Sequence, residues 1–226
     1  MQGVVEAFEI VGGRIAAACD SAGRRRDEVE LLAVSKTFPA SAVQAAYDAG
    51  HRAFGESRQQ EAASKIDVLP QDIRWHFIGG LQRNKARKVL SSFQIIHSID
   101  SIRLAEHVNR IAAEEGKRPQ VYLEVNIGNE ESKGGFSPEA LLESAEALAG
   151  YESLEVHGLM VIPPQRNARQ LFAATRELRN QFETVSGMRL PGLSMGMSGD
   201  FEDAILEGST VVRVGSALFG NRDYPL

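Results

Sequence analysis

The chain has 226 residues, 43% hydrophobic and 24% charged, a composition that excludes global disorder and supplies enough apolar material for a substantial core. Lys plus Arg number 25 against 30 Asp plus Glu, a net charge of −5, which is less basic than nucleic-acid proteins are and too mild to steer partners by field alone. The single cysteine, Cys19, excludes an internal disulfide or thiolate metal cluster, and no apolar run approaches the roughly 20 residues that span a bilayer, so with no leader at its start the chain is expected to be cytoplasmic and off the membrane.

Residues 4–18 carry apolar side chains at helical spacing and predict an opening helix. Eight β-like runs follow, at 29–35, 53–55, 75–79, 95–98, 120–126, 156–162, 193–197 and 211–214. Amphipathic segments intervene, among them 41–49, 61–68, 101–115, 138–148 and 167–185. Strands alternating with helices make parallel βαβ units, and eight of them meet the closing condition of a (β/α)8 TIM barrel with an extra N-terminal helix. A doubly wound open sheet is the alternative, but no G-x-G-x-x-G follows the first strand. No linker, long charge run or low-complexity stretch divides the sequence, so residues 1–226 are expected to form a single α/β domain.

In a barrel of this kind chemistry belongs at the carboxyl ends of the strands. The first run, Leu31 to Val34, leads into Lys36. A lysine at a barrel rim is partly desolvated, which lowers its pKa and frees the amine for Schiff-base formation. The seventh run leads into Met197-Ser198-Gly199-Asp200 and the eighth, through Arg213, into Gly215-Ser216-Ala217. Small residues let backbone N–H groups approach an anion, Ser198 and Ser216 add hydroxyl donors, and a helix starting after either loop would point its positive end inward. The loops after strands seven and eight are the usual barrel phosphate position. Glu56, Ser57, His76, Ser98, Asp100, Asn126 and Met160 fall at other strand ends, although His76 and Met160 fit a core role equally well. The five histidines are scattered, with no spacing that points to a metal. The basic residues Arg83, Lys85, Arg87 and Lys88 lack interleaved aromatics and read as a solvated face rather than a nucleic-acid site.

Seven stretches carry a resemblance over nearly the whole chain: Leu-Leu-Ala-Val-Ser-Lys-Thr (31–37), Phe-Gly-Glu (54–56), Trp-His-Phe-Ile-Gly (75–79), Leu-Gln-Arg-Asn-Lys (81–85), Gly-Leu-Met (158–160), Leu-Ser-Met-Gly-Met-Ser (193–198) and Val-Arg-Val-Gly-Ser-Ala-Leu-Phe-Gly (212–220). In this order they resemble the pyridoxal phosphate homeostasis protein family. The resemblance implies a fold like the barrel domain of alanine racemase, with pyridoxal 5′-phosphate (PLP) bound as an internal aldimine on Lys36. It also implies phosphate contacts from Ser198, Gly199, Gly215 and Ser216, with Arg213 close to the phosphate and ring-nitrogen edge. Ser57, His76 and Met160 complete the expected cofactor-binding set. The chain departs from the family pattern at Ser57, where Asn is frequent, and at Phe38, where a second lysine is frequent. Lys133 matches a family lysine near the barrel mouth, and a mobile surface lysine explains it equally well.

A PLP racemase needs a proton-transferring group on each face of the substrate. Lys36 serves one face, and the chain ends six residues after Gly220, leaving no second domain to bring the other. An arginine at the pyridine nitrogen also disfavours its protonation and weakens the electron sink. The expected role is therefore vitamin B6 homeostasis: a monomeric carrier that sequesters PLP, with PLP-dependent apo-enzymes as candidate recipients, no efficient catalysis and no metal. Two alternatives stand beside it, a low-activity single-domain amino-acid racemase and a barrel aldolase using Lys36 on a sugar phosphate without PLP.

Overall fold

The computed structural model describes residues 2–220. Eight strands pair in chain order: β1 (Glu30–Val34), β2 (Ala53–Glu56), β3 (Arg74–Phe77), β4 (Ile95–Ile99), β5 (Gln120–Glu124), β6 (Glu155–Met160), β7 (Gly192–Ser194) and β8 (Val211–Val214). All neighbours are parallel, and β8 pairs back onto β1 with Glu30 opposite Val211 and Ala33 opposite Val214, closing the barrel. That closure excludes the open sheet. The helices are α1 (Gln2–Ser21), α2 (Ala40–Asp48), α3 (Gln59–Ile66), α4 (Ala86–Ser92), α5 (Ile102–Glu114), α6 (Pro138–Glu143), α7 (Ala145–Ala149), α8 (Ala168–Ser186), α9 (Phe201–Leu206) and α10 (Ser216–Phe219). The expected extra helix is α1, which packs on α9, α10 and α2 and thereby braces the last two βα units.

Alternation along the strands divides the apolar residues into two sets. Leu31, Ala33, Phe54, Leu123, Leu159 and Val212 join the main core between barrel and helices, while Leu32, Ala53, Tyr122, Met160 and Val211 form a smaller cluster inside the barrel. Each helix supplies the facing stripe. In α5 the buried positions are Leu104, Ala105, Val108, Ile111 and Ala112, one face at helical period, and Ser101 caps its start by accepting from the Leu104 N–H. Phe172 and Phe182 of α8 are fully buried, each worth about 1.5–3 kcal/mol of transfer free energy. Between β6 and β7 the backbones come very close: a Cβ on Gly158 would lie 1.9 Å from the Gly192 carbonyl oxygen, so this contact requires glycine.

Several elements differ by a few residues from the expected ranges, and two of the differences have local causes. The helix expected over 138–148 is broken at Ser144 into α6 and α7, where the Ser144 hydroxyl donates back to the Ala140 carbonyl, a bond that competes with the helical ladder. The strand expected over 193–197 ends at Ser194, because Gly196 turns the chain at φ 95°. Among the described residues no helix is long and apolar enough to cross a membrane.

Candidate functional site

A cavity of about 620 Å³ opens at the carboxyl ends of β1, β6, β7 and β8. Lys36, half-buried, enters it just past β1, and Met160, fully buried at the end of β6, forms part of its wall. Ser198 and Gly199 enter after β7, and Arg213, Gly215 and Ser216 at the end of β8. The structure thus gathers Lys36, Met160, Ser198, Gly199, Arg213, Gly215 and Ser216 around one volume. Ser57, just past β2, does not line it, and neither does His76, whose ring lies inside the barrel.

The two glycine loops are tied to each other. Ser198 Oγ accepts from the N–H groups of Gly215 and Ala217, both at 3.4 Å. Those bonds sit at the long limit, so a stronger acceptor would draw the same donors in. The Asp200 carboxylate is turned back into its own loop, accepting from the Met197 N–H at 2.6 Å. Gly196 makes this bend possible, because at φ 95° a Cβ would lie 2.6 Å from Ala204 Cβ and 2.9 Å from Phe201 Cα. Helices start after both loops, as expected from sequence, but span only six and four residues, and the Gly215 and Ala217 N–H groups belong to the N-cap and first turn of α10.

Arg213 is buried and both terminal nitrogens of its guanidinium donate hydrogen bonds. Nη1 donates to the Ser194 carbonyl at 2.6 Å and to Ser194 Oγ at 2.7 Å, and Nη2 donates to the Val161 carbonyl at 2.8 Å. Burial lowers its pKa to about 10, against the opposing pull of Asp200 and Glu124, which leaves it charged at neutral pH. Behind it, His97 Nδ1 lies 2.8 Å from Ser194 Oγ and His97 Nε2 lies 3.0 Å from His76 Nδ1. Burial pushes His76 down to about 3 and His97 well below its ordinary value, so both are neutral.

A second network grips the turn that carries Lys36. The Lys65 ammonium, on α3, donates to the Ser35 carbonyl at 2.9 Å, to Glu56 Oε1 at 2.7 Å and to Glu61 Oε1 at 2.8 Å. Ser35 Oγ also donates to Glu56 Oε1 at 2.7 Å, and the Thr37 N–H donates to Glu61 Oε1 at 2.5 Å. The peptide groups on both sides of Lys36 are therefore anchored, with Thr37 held at φ 71°, a left-handed backbone that a β-branched residue rarely adopts. Burial pushes the Glu56 carboxyl up, against the downward pull of Lys65 and Ser35. Glu61 and Lys65, Ser194 and His97 are the residues that reasoning from sequence did not assign to the site. Their signal was a polar side chain inside an apolar run, as at His97 and Ser194, or an i,i+4 ion pair at a helix start, as at Glu61 and Lys65. Among the described residues no three His, Cys, Asp or Glu side chains group as a metal site.

An eight-stranded parallel barrel with a lysine after β1 and small-residue loops after β7 and β8 places the chain in a definite class. Residues 13–223 match the family model for the alanine racemase N-terminal domain, and the chain belongs to that class. It is 42% identical over 216 residues to the pyridoxal phosphate homeostasis protein of Aquifex aeolicus, covering 93% of this chain and 95% of that one. The protein of the same name from Pseudomonas aeruginosa is 42% identical over 226 residues, with 99% and 98% covered. The chain therefore belongs to the pyridoxal phosphate homeostasis protein family. Among solved structures, PipY of Synechococcus elongatus with PLP bound superposes with a TM-score of 0.81 at 40% identity, covering 91% of this chain and all of that one. Alanine racemase of Clostridium difficile shares the fold at 13% identity and a TM-score of 0.77, and this chain spans 58% of it.

Proposed function

We propose that the chain is a PLP-binding protein of vitamin B6 homeostasis, holding the cofactor through Lys36 and supplying it to PLP-dependent apo-enzymes without efficient catalysis of its own. One observation carries this reading: a lysine amine, two hydroxyl-bearing glycine loops and a buried arginine converge on one cavity, whose size falls within the roughly 300–1,000 Å³ of small-molecule sites. The donors fit the group. The N–H groups of Gly215 and Ala217, at the start of α10, spend long bonds on Ser198 Oγ and are poised for phosphate oxygens, and Arg213, which can only donate, suits an acceptor. The PLP-bound structure of the related PipY supports the same assignment.

PLP, when bound, supplies an aldehyde that condenses reversibly with a primary amine. Lys36 presents that amine on a turn fixed by Lys65 and Glu61. Ser198, Gly199, Gly215 and Ser216 hold the phosphate. Met160, in the cavity wall, would face the ring, whereas Ser57 and His76 lie outside the lining. Among the described residues lining the cavity, the ionisable groups are Lys36, Asp200 and Arg213. Arg213 keeps its proton at neutral pH and Asp200 is engaged in its own loop, so Lys36 stands alone as a proton-transferring group, which favours a carrier over a racemase. The carrier reading takes residues 1–226 as a single domain acting as a cytoplasmic monomer.

The test is a visible absorbance spectrum of the protein with PLP, then borohydride reduction and peptide mass spectrometry. A yellow band and a pyridoxyl mass on Lys36, both lost in Lys36→Ala, are expected. A colourless protein, or label scattered over surface lysines, would refute the site and redirect attention to a sugar-phosphate aldolase. Turnover of D- or L-amino acids at ordinary enzymatic rates would refute the carrier role.

A further inference from the structure

The barrel interior of this class of fold is usually packed with branched apolar side chains. Here Arg213, Ser194, His97 and His76 occupy it, each 5% exposed or less, and every contact between neighbours is a hydrogen bond. The direction of those bonds can be worked out from one end. Arginine has donors only, so the contact from Arg213 Nη1 makes Ser194 Oγ an acceptor. The Ser194 hydroxyl proton must then go elsewhere, and among the described residues the acceptor within reach is His97 Nδ1, at 2.8 Å. A neutral His97 that accepts at Nδ1 carries its proton on Nε2, which donates to His76 Nδ1 at 3.0 Å. His76 therefore also carries its proton on Nε2. That atom has no hydrogen-bond partner, but it faces the Glu30 carboxylate 3.9 Å away, at the start of β1.

We propose that Ser194, His97 and His76 are positioning residues for Arg213, forming a one-way relay that fixes this arginine as the donor in the cofactor cavity and runs to Glu30 at the opposite end of the barrel. The functional half rests on the PLP reading above; the direction of the relay does not. Geometry supports rigidity at each step. The His97 ring is stacked on Tyr122 with centroids 4.4 Å apart and planes 16° from parallel, so it cannot turn without losing that face. Protonating His76 would set two N–H groups against each other across the His76–His97 contact, and protonating His97 would set a new Nδ1–H against the Ser194 hydroxyl proton. Glu30 is itself held by Arg74, so its negative end stays aligned with the His76 N–H. The cation at one end and the carboxylate at the other thus polarise the chain in the same sense.

The first test needs no cofactor. Two-bond proton–nitrogen correlation spectra of the unsubstituted protein, labelled with [15N]histidine at neutral pH and assigned by comparison with variants replacing His51, His107 and His157 in turn and by the contact of His97 with Tyr122, should show both His76 and His97 as neutral Nε2–H tautomers. An Nδ1–H tautomer or an imidazolium at either position overturns the relay. The second test reads the loaded protein. Ser194→Ala, which removes the link, is expected to weaken PLP binding about tenfold and to shift the visible absorbance maximum, and Ser194→Thr to recover both. An Ala variant with wild-type affinity and spectrum would show that Arg213 does not depend on the relay. Should Ser194→Ala fail to fold, His76→Leu reads the same shift from two residues further back, and an unmoved maximum there also overturns the proposal. Protein that shows both tautomers yet takes up no PLP would support the relay and refute the cofactor reading, so the two failures are distinct.

Discussion

Replacing Lys65 with methionine is the sharpest perturbation of the site that leaves every cavity-lining residue in place. The substitution keeps an unbranched apolar stem, one atom shorter, but removes bonds to Ser35, Glu56 and Glu61. Glu56 is fully buried and its Oε2 already lacks a partner, so without Lys65 its charge would be uncompensated. Breaking a buried ion pair from one side costs about 3–5 kcal/mol, against the roughly 5–15 kcal/mol that hold a domain folded. Urea denaturation should therefore show a loss of that order for Lys65→Met. The double variant Glu56→Gln with Lys65→Met should recover most of it, because no buried charge remains. PLP affinity should not recover. The Ser35 carbonyl and Glu61 still lack their anchor, Thr37 is freer to leave φ 71°, and Lys36 loses its fixed base, which we expect to weaken PLP binding about tenfold in both variants. A Lys65→Met protein within 1 kcal/mol of wild type, by the standard of ordinary surface changes, would refute the buried-pair reasoning. A double variant that binds PLP as tightly as wild type would refute the clamp.

The remaining expectations concern pH and the loop after β7. Burial lowers His51 to about 4 and His76 to about 3, and His97 falls well below its ordinary value, so these groups stay neutral when folded and take up protons only on unfolding. Between about pH 6.5 and 4 the unfolded chain binds the extra protons, so stability should fall with falling pH by about 1.4 kcal/mol per unit for each such histidine. Urea titrations across that range, with His51→Gln reducing the slope, check the sign; stability unchanged from pH 6.5 to 4.5 would contradict it. Gly196→Ala places a Cβ 2.6 Å from Ala204 Cβ in a left-handed backbone, so a destabilisation of about 1–3 kcal/mol with weaker PLP binding is expected. Melting and PLP titration of the same preparation test it, and an unchanged melting temperature would show that the bend does not need glycine.

How far the sequence could be read depended on whether an interaction was local. The barrel was readable because each strand is a short apolar run and each helix a periodic one, and Lys36 and the loops at 197–200 and 215–217 were readable because they abut such runs. The relay was not, although its members stood in view. His97 meets residues 21 and 97 positions away, and such contacts exist only once β3, β4 and β7 lie around one axis. Glu61 and Lys65 lie within the amphipathic segment 61–68 with nothing local to single them out, since the burial of Glu56 that makes Lys65 consequential is a property of the closed barrel. The helix starts after the seventh and eighth strands were legible from their turn chemistry, whereas the shortness of α9 and α10 was not.

The two networks have a common feature. Burying so many polar groups in a barrel is tolerated only if each finds a partner, and here nearly all do. Among the described residues the buried side-chain atoms left without one are Glu56 Oε2 and His76 Nε2. The first belongs to the network that holds Lys36, the second to the chain that holds Arg213. Unmet hydrogen-bonding capacity is thus confined to the two groups standing behind the amine and the guanidinium of the site. An apolar barrel would avoid that desolvation cost, but it would leave a long, flexible lysine and arginine to find their own positions in the cavity. Under the proposed function, buried polarity in this protein is the means by which two long side chains would be fixed for one ligand.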